Sequence, residues 1–417
     1  MKAVLDQIKP SLVERKRVLS VTTSFLKRLN AQLKDGKAIL GGSGAKGTWL
    51  SGNHDLDIFV IFPRQKYATR SSELADLLQP LLRRLFTHHN LQRLNGSRDY
   101  FQLVDQGFNI EIVPIVSITK AEQAINITDI SPLHTRWVNK QPVSVKDQVL
   151  LAKQFCKAQG LYGAESYITG FSGYVLEILI SHYGSFERLL KASQKWKRGE
   201  VVDSEKHYPL KNALFHLNQS KVQSPLIVID PVDKNRNAAA ALSFAQFSLF
   251  QRRAREYLLK PSPDFFVKKV LTAELWQRDL QQRSRHGLWL DLLLPEGKED
   301  VVGVKLVKAL NFLQQELQSF GLCQAGWIWD KSQVAALYLE LENGARPAIE
   351  VRPGPPLKLT EHVADFRKKN KNTFVQEDRI MANVPVAFPL LKDSVRQLLK
   401  HAYFRQRITE VKRILVF

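Results

Sequence analysis

Two acidic residues at alternate positions have the spacing needed for phosphoryl-transfer chemistry. Asp55 and Asp57 open the apolar stretch DLDIFVIF. Because side chains alternate along a strand, the two carboxylates share one face while Leu56 and Ile58 point into a core. Two carboxylates held side by side suit a pair of divalent cations about 3.5–4 Å apart, as used for in-line phosphoryl transfer. The alternative is a solvated strand edge, which the long apolar run after the two acids disfavours.

A glycine-rich segment precedes this pair of acids. Glycines stand at positions 41, 42, 44 and 47. A helix that opens here would direct free backbone N–H groups towards an anion. Ser43 offers a hydroxyl group and Lys46 offers a positive charge, so both are candidates to contact a phosphate.

A third carboxylate is expected from a neighbouring strand. Glu111 is the best candidate because it is a lone acid in the apolar run NIEIVP. It would complete a metal site and could accept the proton of an attacking hydroxyl group. Asp105 competes for this role, but it lies close to Gly107 and is more simply a turn residue.

These residues resemble the active-site signature of the DNA polymerase β-like nucleotidyltransferase superfamily. The segment GSGAKGTWL at 42–50, followed by DLD at 55–57, looks like the archaeal-type (class I) CCA-adding enzymes in particular. Ordered matches to the same family follow, namely SPLHTRW at 131–137, GLYGAE at 160–165, GFSGY at 170–174 and DPVDKNRN at 230–237. The resemblance spans residues 40–240 and becomes thinner beyond residue 260.

The resemblance implies an activity and its substrates. It implies template-independent addition of C, C and A to the 3′ end of tRNA from CTP and ATP, with two Mg²⁺ ions and release of pyrophosphate. Asp55, Asp57 and Glu111 would be the catalytic residues and would hold the metal ions. Nucleotide binding would fall to the triphosphate contacts Ser43, Lys46, Lys153 and Tyr162, to His134 near the sugar and phosphates, and to Arg236 at the edge of the base.

Two of these positions depart from the family pattern, and others have structural alternatives. Lys46 stands where the family usually has Arg, and Glu111 stands where it usually has Asp, which leaves turnover and metal preference open. The alternatives are a solvated lysine at Lys153, a structural hydrogen bond at His134, simple packing at Tyr162, and an ion pair of Arg236 with Asp230 or Asp233.

The composition favours a polyanionic partner. Sixty-one Lys and Arg residues against 40 Asp and Glu residues give a formal net charge of +21 over 417 residues. Each cation brought to a phosphate releases condensed counterions. Basic clusters lie at 191–198, 252–255 and 367–371. We expect a long phosphate track that follows the acceptor stem and T-arm of tRNA, which form a continuous A-form helix.

Membrane association is not expected. The apolar stretches fall short of the roughly 20 residues that cross a bilayer, and the amino terminus lacks the apolar region of a signal peptide. Cys156 and Cys323 are too few for a zinc site or a disulfide framework. We therefore expect a cytoplasmic protein. The sequence leaves the oligomeric state open, a homodimer included.

The pattern of helices and strands along the chain predicts a multidomain α+β fold. We expect a nucleotidyltransferase head with a small mixed sheet over residues 1–143, a helical, base-binding neck over 144–260, and an α+β body with a helical tail over 261–417. The expected elements include strands at 38–40 and 55–62, a hairpin of 99–104 with 108–116, a helix that starts with a Ser144–Asp147 capping box, and a helix over 391–413.

Other activities compete with the main interpretation. A poly(A) polymerase, or an enzyme that adds only A or only C, would share the catalytic acids, although the segments at 131–174 and 230–237 disfavour it. A metal-dependent glycosyltransferase would use Asp-x-Asp but would need neither the Gly-Ser segment nor the excess of positive charge. A tRNA-binding protein without activity is disfavoured by the intact acids at 55, 57 and 111.

Overall fold

The fold is given by a computed structural model that describes residues 1–209, 217 and 222–417. The chain forms two compact units, residues 1–269 and residues 270–417. The mixture of helices and small sheets confirms the predicted α+β, multidomain class. A boundary at 143/144 between a head and a neck lies within the first unit and stays a prediction.

A five-stranded mixed sheet organises the first part of unit 1. Its strand order is β1-β2-β5-β4-β3; β2 and β5 are parallel and the other neighbours are antiparallel. The strands are β1 (Lys37–Leu40), β2 (Asp55–Phe62), β3 (Gln92–Leu94), β4 (Tyr100–Asp105) and β5 (Phe108–Val116). The predicted strands and hairpin are confirmed, and the turn between β4 and β5 places Gln106 and Gly107 at positive φ.

Helices cover one face of this sheet. Phe25 and Leu78, from two different helices, share a buried core with Ile58 and Ile112 of the sheet. The helices of this part are α1 (Lys2–Ile8), α2 (Leu12–Asn30), α3 (Gly42–Lys46), α4 (Arg64–Tyr67) and α5 (Leu74–Leu85). The sheet is therefore a rigid platform, and the short helix α3 lies between its first two strands in the chain.

The second part of unit 1 is mainly helical and has its own aromatic core. Phe155, Phe171 and Phe250 are fully buried there. Among the described residues, the helices are α6 (Ser131–Asn139), α7 (Val143–Ala158), α8 (Gly173–Tyr183), α9 (Phe186–Ser193) and α10 (Phe244–Leu259). The strands β6 (Glu200–Val202), β7 (Leu226–Asp230) and β8 (Asp233–Asn237) lie between α9 and α10 in the chain.

The predicted capping box at the start of α7 is wrong. The N-cap residue is Pro142, no side chain caps this end, and Ser144 already lies inside the helix. Asp147 forms an ion pair with Lys9 instead, with Nζ and Oδ1 2.7 Å apart. The carboxylate of Asp147 therefore pairs with Lys9, a residue distant in the chain, and does not cap the helix as the local pattern predicted.

Unit 2 contains two antiparallel sheets. One has the order β10-β11-β9-β15 and the other the order β12-β14-β13. The strands are β9 (His286–Leu293), β10 (Leu322–Trp329), β11 (Val334–Leu341), β12 (Ile349–Pro356), β13 (Thr373–Gln376), β14 (Arg379–Pro385) and β15 (Glu410–Val416). The helices are α11 (Ala273–Gln282), α12 (Glu299–Glu316), α13 (Thr360–Lys369), α14 (Leu391–Leu398) and α15 (Ala402–Arg405).

The predicted helix over residues 391–413 is wrong in its second half. Helix α14 ends at Leu398, and the chain finishes as strand β15. Strand β15 pairs with β9, with Glu410 opposite Leu293 and Val416 opposite Leu288. The physical reason is tertiary, because an uncovered β9 edge would leave backbone N–H and C=O groups unpaired.

Candidate active site

The glycine-rich segment wraps closely around Asp57. The backbone N–H of Gly41 donates to the carbonyl oxygen of Asp57, with a donor–acceptor distance of 2.7 Å. Gly42 has φ +53°, and a Cβ atom added there would lie 1.6 Å from Oδ2 of Asp57. Only glycine allows the backbone to approach the carboxylate this closely. Ser43 follows at the start of α3 and is partly exposed.

The three predicted carboxylates lie on two neighbouring parallel strands. Asp55 and Asp57 are on β2, and Glu111 on β5 is in register with Asp57. Leu56 and Ile58 are buried, as the alternation requires. The side-chain amide of Asn109 donates to Oδ1 of Asp55 at 3.1 Å. The strands thus gather the acids on one face of the sheet.

The competing acid, Asp105, lies two strands away from β2 in the sheet. It sits at the end of β4, where its carboxylate is 3.4 Å from Nε2 of His89 and 3.8 Å from a guanidinium nitrogen of Arg28. This placement agrees with a structural role at the turn.

The electrostatics of Asp57 favour a cation beside it. Burial raises the pKa of Asp57, the charge of Asp55 raises it further, and the charge of Lys46 lowers it. Within residues 1–209, 217 and 222–417, no three His, Cys, Asp or Glu side chains form a group ready to hold a metal ion. Carboxylate oxygens nevertheless have the donor chemistry that Mg²⁺ uses, and Mg²⁺ commonly takes only one or two carboxylates and completes its shell with substrate phosphates.

A buried ionic cluster lies beside α3. Lys46 of α3 and Lys153 of α7 both donate to Glu177 of α8, each with a distance of 2.9 Å. Thr48 donates its hydroxyl to the same carboxylate at 2.6 Å. Lys153 is 3% exposed and Glu177 is 2% exposed, so the solvated-lysine alternative for Lys153 is wrong. Burial raises the pKa of Glu177, but Lys153, Lys46 and Thr48 together lower it to about 2.

A second buried carboxylate organises the residues predicted near the sugar and the base. Asp230 is fully buried and accepts a hydrogen bond from the Tyr174 hydroxyl at 2.9 Å. Its Oδ2 lies 2.9 Å from Nε2 of His134 and 2.7 Å from the guanidinium of Arg236. The predicted alternative of an Arg236–Asp230 ion pair is therefore observed. Burial raises the pKa of Asp230, but the bond to His134 and the charges of His134 and Arg236 lower it to about 2.

Tyr174 connects the two clusters. Its ring stacks on His134 with centroids 4.0 Å apart, and Nζ of Lys46 lies 4.9 Å from the ring centre. Burial lowers the pKa of His134, while Asp230 opposes this shift. Glycine at 173 leaves room for Tyr162 and Lys153, because a Cβ atom there would be 2.8 Å from the Tyr162 hydroxyl and 3.3 Å from Nζ of Lys153.

Sequence reasoning missed two residues of this region, Tyr174 and Glu177, as parts of the site. Glu177 carries the signal that singled out Glu111, since it is a lone acid inside an apolar run, 175–180. In the sequence, Tyr174 stands out only as the end of the segment GFSGY and the start of a predicted helix. Asp230 stands out as the first residue of DPVDKNRN and as a possible partner of Arg236.

Three family models match successive parts of the chain. They are described as a nucleotidyltransferase domain over residues 23–130, a second domain of tRNA nucleotidyltransferase over 147–267, and a C-terminal domain of CCA-adding enzyme over 291–409. Together with the carboxylates on β2 and β5, these matches define the chain as a nucleotidyltransferase.

Curated relatives specify the family. The chain is 44% identical over 344 residues to the CCA-adding enzyme of Nanoarchaeum equitans, covering 81% of each chain. It is 33% identical over 383 residues to that of Methanosarcina acetivorans (88% of this chain and 80% of the relative) and 30% identical over 418 residues to that of Pyrococcus abyssi (97% and 90%). The chain belongs to the family of CCA-adding enzymes, which are tRNA nucleotidyltransferases that build the CCA end.

Solved structures agree with the fold. The Cid1 RNA terminal uridylyl transferase matches with a TM-score of 0.51 at 13% identity, over 65% of this chain and 97% of that one. A cytoplasmic RNA terminal U-transferase matches with a TM-score of 0.50 at 15% identity, over 65% and 98%. At this level of identity the likeness concerns the nucleotidyltransferase fold. In the described part of the chain, no helix is long and apolar enough to cross a membrane.

Proposed function

We propose that the chain adds C, C and A to the 3′ end of tRNA from CTP and ATP without a nucleic-acid template, releasing pyrophosphate, and that Asp55, Asp57 and Glu111 are its catalytic residues. The observation that carries this assignment is the in-register pairing of Asp57 with Glu111 on parallel strands, next to the Gly42 backbone. This arrangement puts carboxylates and a close-approaching backbone at one place on the sheet.

The three carboxylates would hold two Mg²⁺ ions. When bound, such ions lower the pKa of the RNA 3′-hydroxyl and stabilise the charge that develops on the triphosphate. Glu111 would accept the proton of the attacking hydroxyl group. Glu111 has one methylene more than the Asp usual in the family, and its side chain reaches the same face from β5.

The triphosphate would be held by the side chains around α3. Ser43 would donate its hydroxyl to a phosphate, and Lys46, Lys153 and Tyr162 would contact the phosphates from the helices α3 and α7 and the segment after α7. The closeness of Lys46 to Lys153 through Glu177, and of Tyr162 to Lys153 across Gly173, supports a shared role for these four residues.

His134 and Arg236 would contact the rest of the nucleotide. His134 would lie near the sugar and phosphates, and Arg236 would read the edge of the base. Their common partner Asp230 supports this pairing of roles, because one buried carboxylate fixes the orientation of both side chains.

The domains would divide this work. A head (1–143) would carry the catalytic acids, a neck (144–260) would bind the base, and a body and tail (261–417) would recognise the acceptor stem and T-arm of tRNA. The reaction would take place in the cytoplasm, where reducing conditions keep thiols such as those of Cys156 and Cys323 free.

A nucleotide-incorporation assay tests this proposal. The protein is incubated with Mg²⁺ and a tRNA that lacks its CCA end, first with each labelled nucleoside triphosphate alone and then with CTP and ATP together. We expect two C additions followed by one A, and no addition by the Asp57→Ala variant. Tailing with A alone would contradict the proposal, as would tight tRNA binding without any incorporation.

A further inference from the structure

Glu177 is the common acceptor of a cluster that the assigned roles leave unexplained. It lies in the first turns of α8, is 2% exposed, and offers one carboxylate oxygen to each of two lysines. Oε2 accepts from Lys46, while Oε1 accepts from Lys153 and from the hydroxyl of Thr48. A buried carboxylate with three donors has a fixed orientation, and it fixes its donors in turn.

The two lysines differ in the partners of their ammonium groups. Nζ of Lys153 has acceptors for all three of its N–H groups in the carbonyl oxygen of Thr48 at 3.0 Å, the hydroxyl of Thr48 at 3.1 Å, and Glu177. Nζ of Lys46 has Glu177 on one side and the face of Tyr174 on another. Lys46 therefore contacts one hydrogen-bonding partner and one aromatic face, and Lys153 is held from several sides.

We infer that Glu177 is a positioning residue for nucleotide binding, which holds Lys46 and Lys153 side by side as charged groups next to the catalytic acids. This inference rests on the proposed role of the two lysines in holding the triphosphate, in which Lys153 would exchange one of its acceptors on Thr48 for a phosphate oxygen. Glu177 itself, as an anion, would not contact the phosphates. Its carboxylate offsets the mutual repulsion of the two ammonium groups and part of the cost of burying them.

The charges around Lys153 indicate what the loss of Glu177 would do. Burial lowers the pKa of Lys153 and the nearby charge of Lys46 lowers it further, whereas the charge and hydrogen bond of Glu177 raise it. The other titratable groups near the cluster are Tyr162, which approaches the same Gly173, and Lys146, whose charge interacts with Glu177. Without the carboxylate, Lys153 would lose its proton at a lower pH.

The test measures phosphate affinity directly. Tripolyphosphate is titrated into the full-length protein by calorimetry, without added divalent metal, over pH about 6.5–10. For Glu177→Gln we expect affinity to fall at least about tenfold at neutral pH. We also expect the alkaline loss of binding to begin at a pH lower by about one unit or more. The titration of tripolyphosphate itself is common to all variants and cancels in the comparison.

Two further variants separate positioning from folding. Glu177→Asp keeps the charge on a shorter side chain. We therefore expect weaker binding of tripolyphosphate, with the alkaline loss of binding at nearly the same pH as in the wild type. Glu187→Gln removes the same charge from the exposed pair with Lys191 and should change neither quantity. Thermal unfolding of each variant shows whether it is folded, and Glu177→Asp carries the test if Glu177→Gln is not folded.

The outcomes are distinct. If Glu177→Gln binds tripolyphosphate with wild-type affinity and loses it at the same alkaline pH as the wild type, the positioning role of Glu177 is overturned. The same holds if Glu177→Asp also loses binding at a lower pH than the wild type. Either result leaves the proposed function untouched. A wild-type protein that adds CCA to tRNA but does not bind tripolyphosphate overturns the phosphate role of the lysines, and the inference with it. A wild-type protein that binds tripolyphosphate but adds no nucleotide contradicts the proposed function while leaving the role of Glu177 standing.

Discussion

At the scale of single residues, the site depends on close approaches that few side chains tolerate. The backbone of Gly42 touches the carboxylate of Asp57, and the fully buried Asp230 sits among His134, Tyr174 and Arg236. Each contact fixes a chemical group before any substrate arrives, which is how a site avoids reorganisation during the reaction.

Replacing Gly42 with alanine tests the contact with Asp57. We expect nucleotide addition to fall by about 100-fold or more, because a Cβ atom 1.6 Å from Oδ2 must displace the carboxylate. The measurement is the rate of C incorporation into tRNA that lacks its CCA end.

Gly47→Ala is the matched control for this change. Gly47 also has positive φ, +69°, but nothing lies within 4 Å of a Cβ atom added there. It should therefore cost about 1 kcal/mol of stability and leave addition nearly unchanged. Equal activity of the two variants would show that the clash with Asp57 has no consequence for the reaction.

At the scale of secondary-structure elements, helix ends place the functional groups. Ser172 is the N-cap of helix α8, where its hydroxyl accepts from the N–H of Val175, and the first turns of the helix carry Tyr174 and Glu177. Residues three apart lie on the same side of a helix, so one element serves both buried carboxylate clusters. Helix α2 has a comparable role for the loop before β2, because Glu14 accepts from Ser51 and from the backbone N–H of Gly52.

Glu14 should stabilise this connection in a pH-dependent way. Backbone hydrogen bonds from Gly52 and Ser11 lower its pKa from 4.5 to about 2. The contribution of the ionised group is thus complete above pH 4.5 and is lost as pH falls through about 2. We expect Glu14→Ala to lose about 1 kcal/mol of unfolding free energy at neutral pH, measured by urea titration.

A second variant shows whether charge is responsible. Ser11→Ala removes the uncharged half of the same capping box, in which the Ser11 hydroxyl accepts from the N–H of Glu14. The cost of Ser11→Ala should change much less with pH, because the Ser11 hydroxyl makes the smallest contribution to the lowered pKa of Glu14, whereas the cost of Glu14→Ala should narrow below pH 4.5. A constant cost for Glu14→Ala would contradict the charged role of this cap.

At the scale of the whole molecule, positive charge is unevenly distributed. Residues 270–417 contain 22 Lys and Arg against 17 Asp and Glu, a formal charge of +5, so residues 1–269 carry +16 of the total +21. The basic cluster at 191–198 includes the buried Trp196, which stacks on Phe247 and Phe250, while its lysines are exposed. Unit 1 therefore has enough charge to attract RNA by counterion release.

This distribution predicts the behaviour of a fragment that contains residues 1–269. Because the fragment has its own buried cores, we expect it to fold, as circular dichroism can verify. It should bind tRNA with a steep salt dependence but should bind an unrelated A-form hairpin equally well, since phosphate contacts alone carry no specificity.

Affinity measurements over a series of salt concentrations, with both RNAs and both proteins, check this expectation. The full-length chain should prefer tRNA to the hairpin at every salt concentration. A fragment that retains the full preference for tRNA would contradict a recognition role for residues 261–417.

Features that depend on local spacing could be predicted from the residues alone. The alternation of Asp55, Leu56 and Asp57 fixes which side chains share a face, and the glycines before them allow a close backbone approach, so the strand, the mixed sheet and the shared face of the three acids could be predicted. The family resemblance and the excess of positive charge could likewise be read directly from the residues.

Contacts between residues far apart in the chain could not be predicted in this way. Glu177 contacts Lys46 across 131 positions of the chain, and His134 contacts Asp230 across 96. The same holds for Asp147, which pairs with Lys9 where a helix cap was predicted. It also holds for β15, which pairs with β9 where the residues were predicted to be helical. Such contacts depend on how whole elements pack. The free-energy cost of leaving a charge or a strand edge without a partner outweighs the local preference of the residues involved.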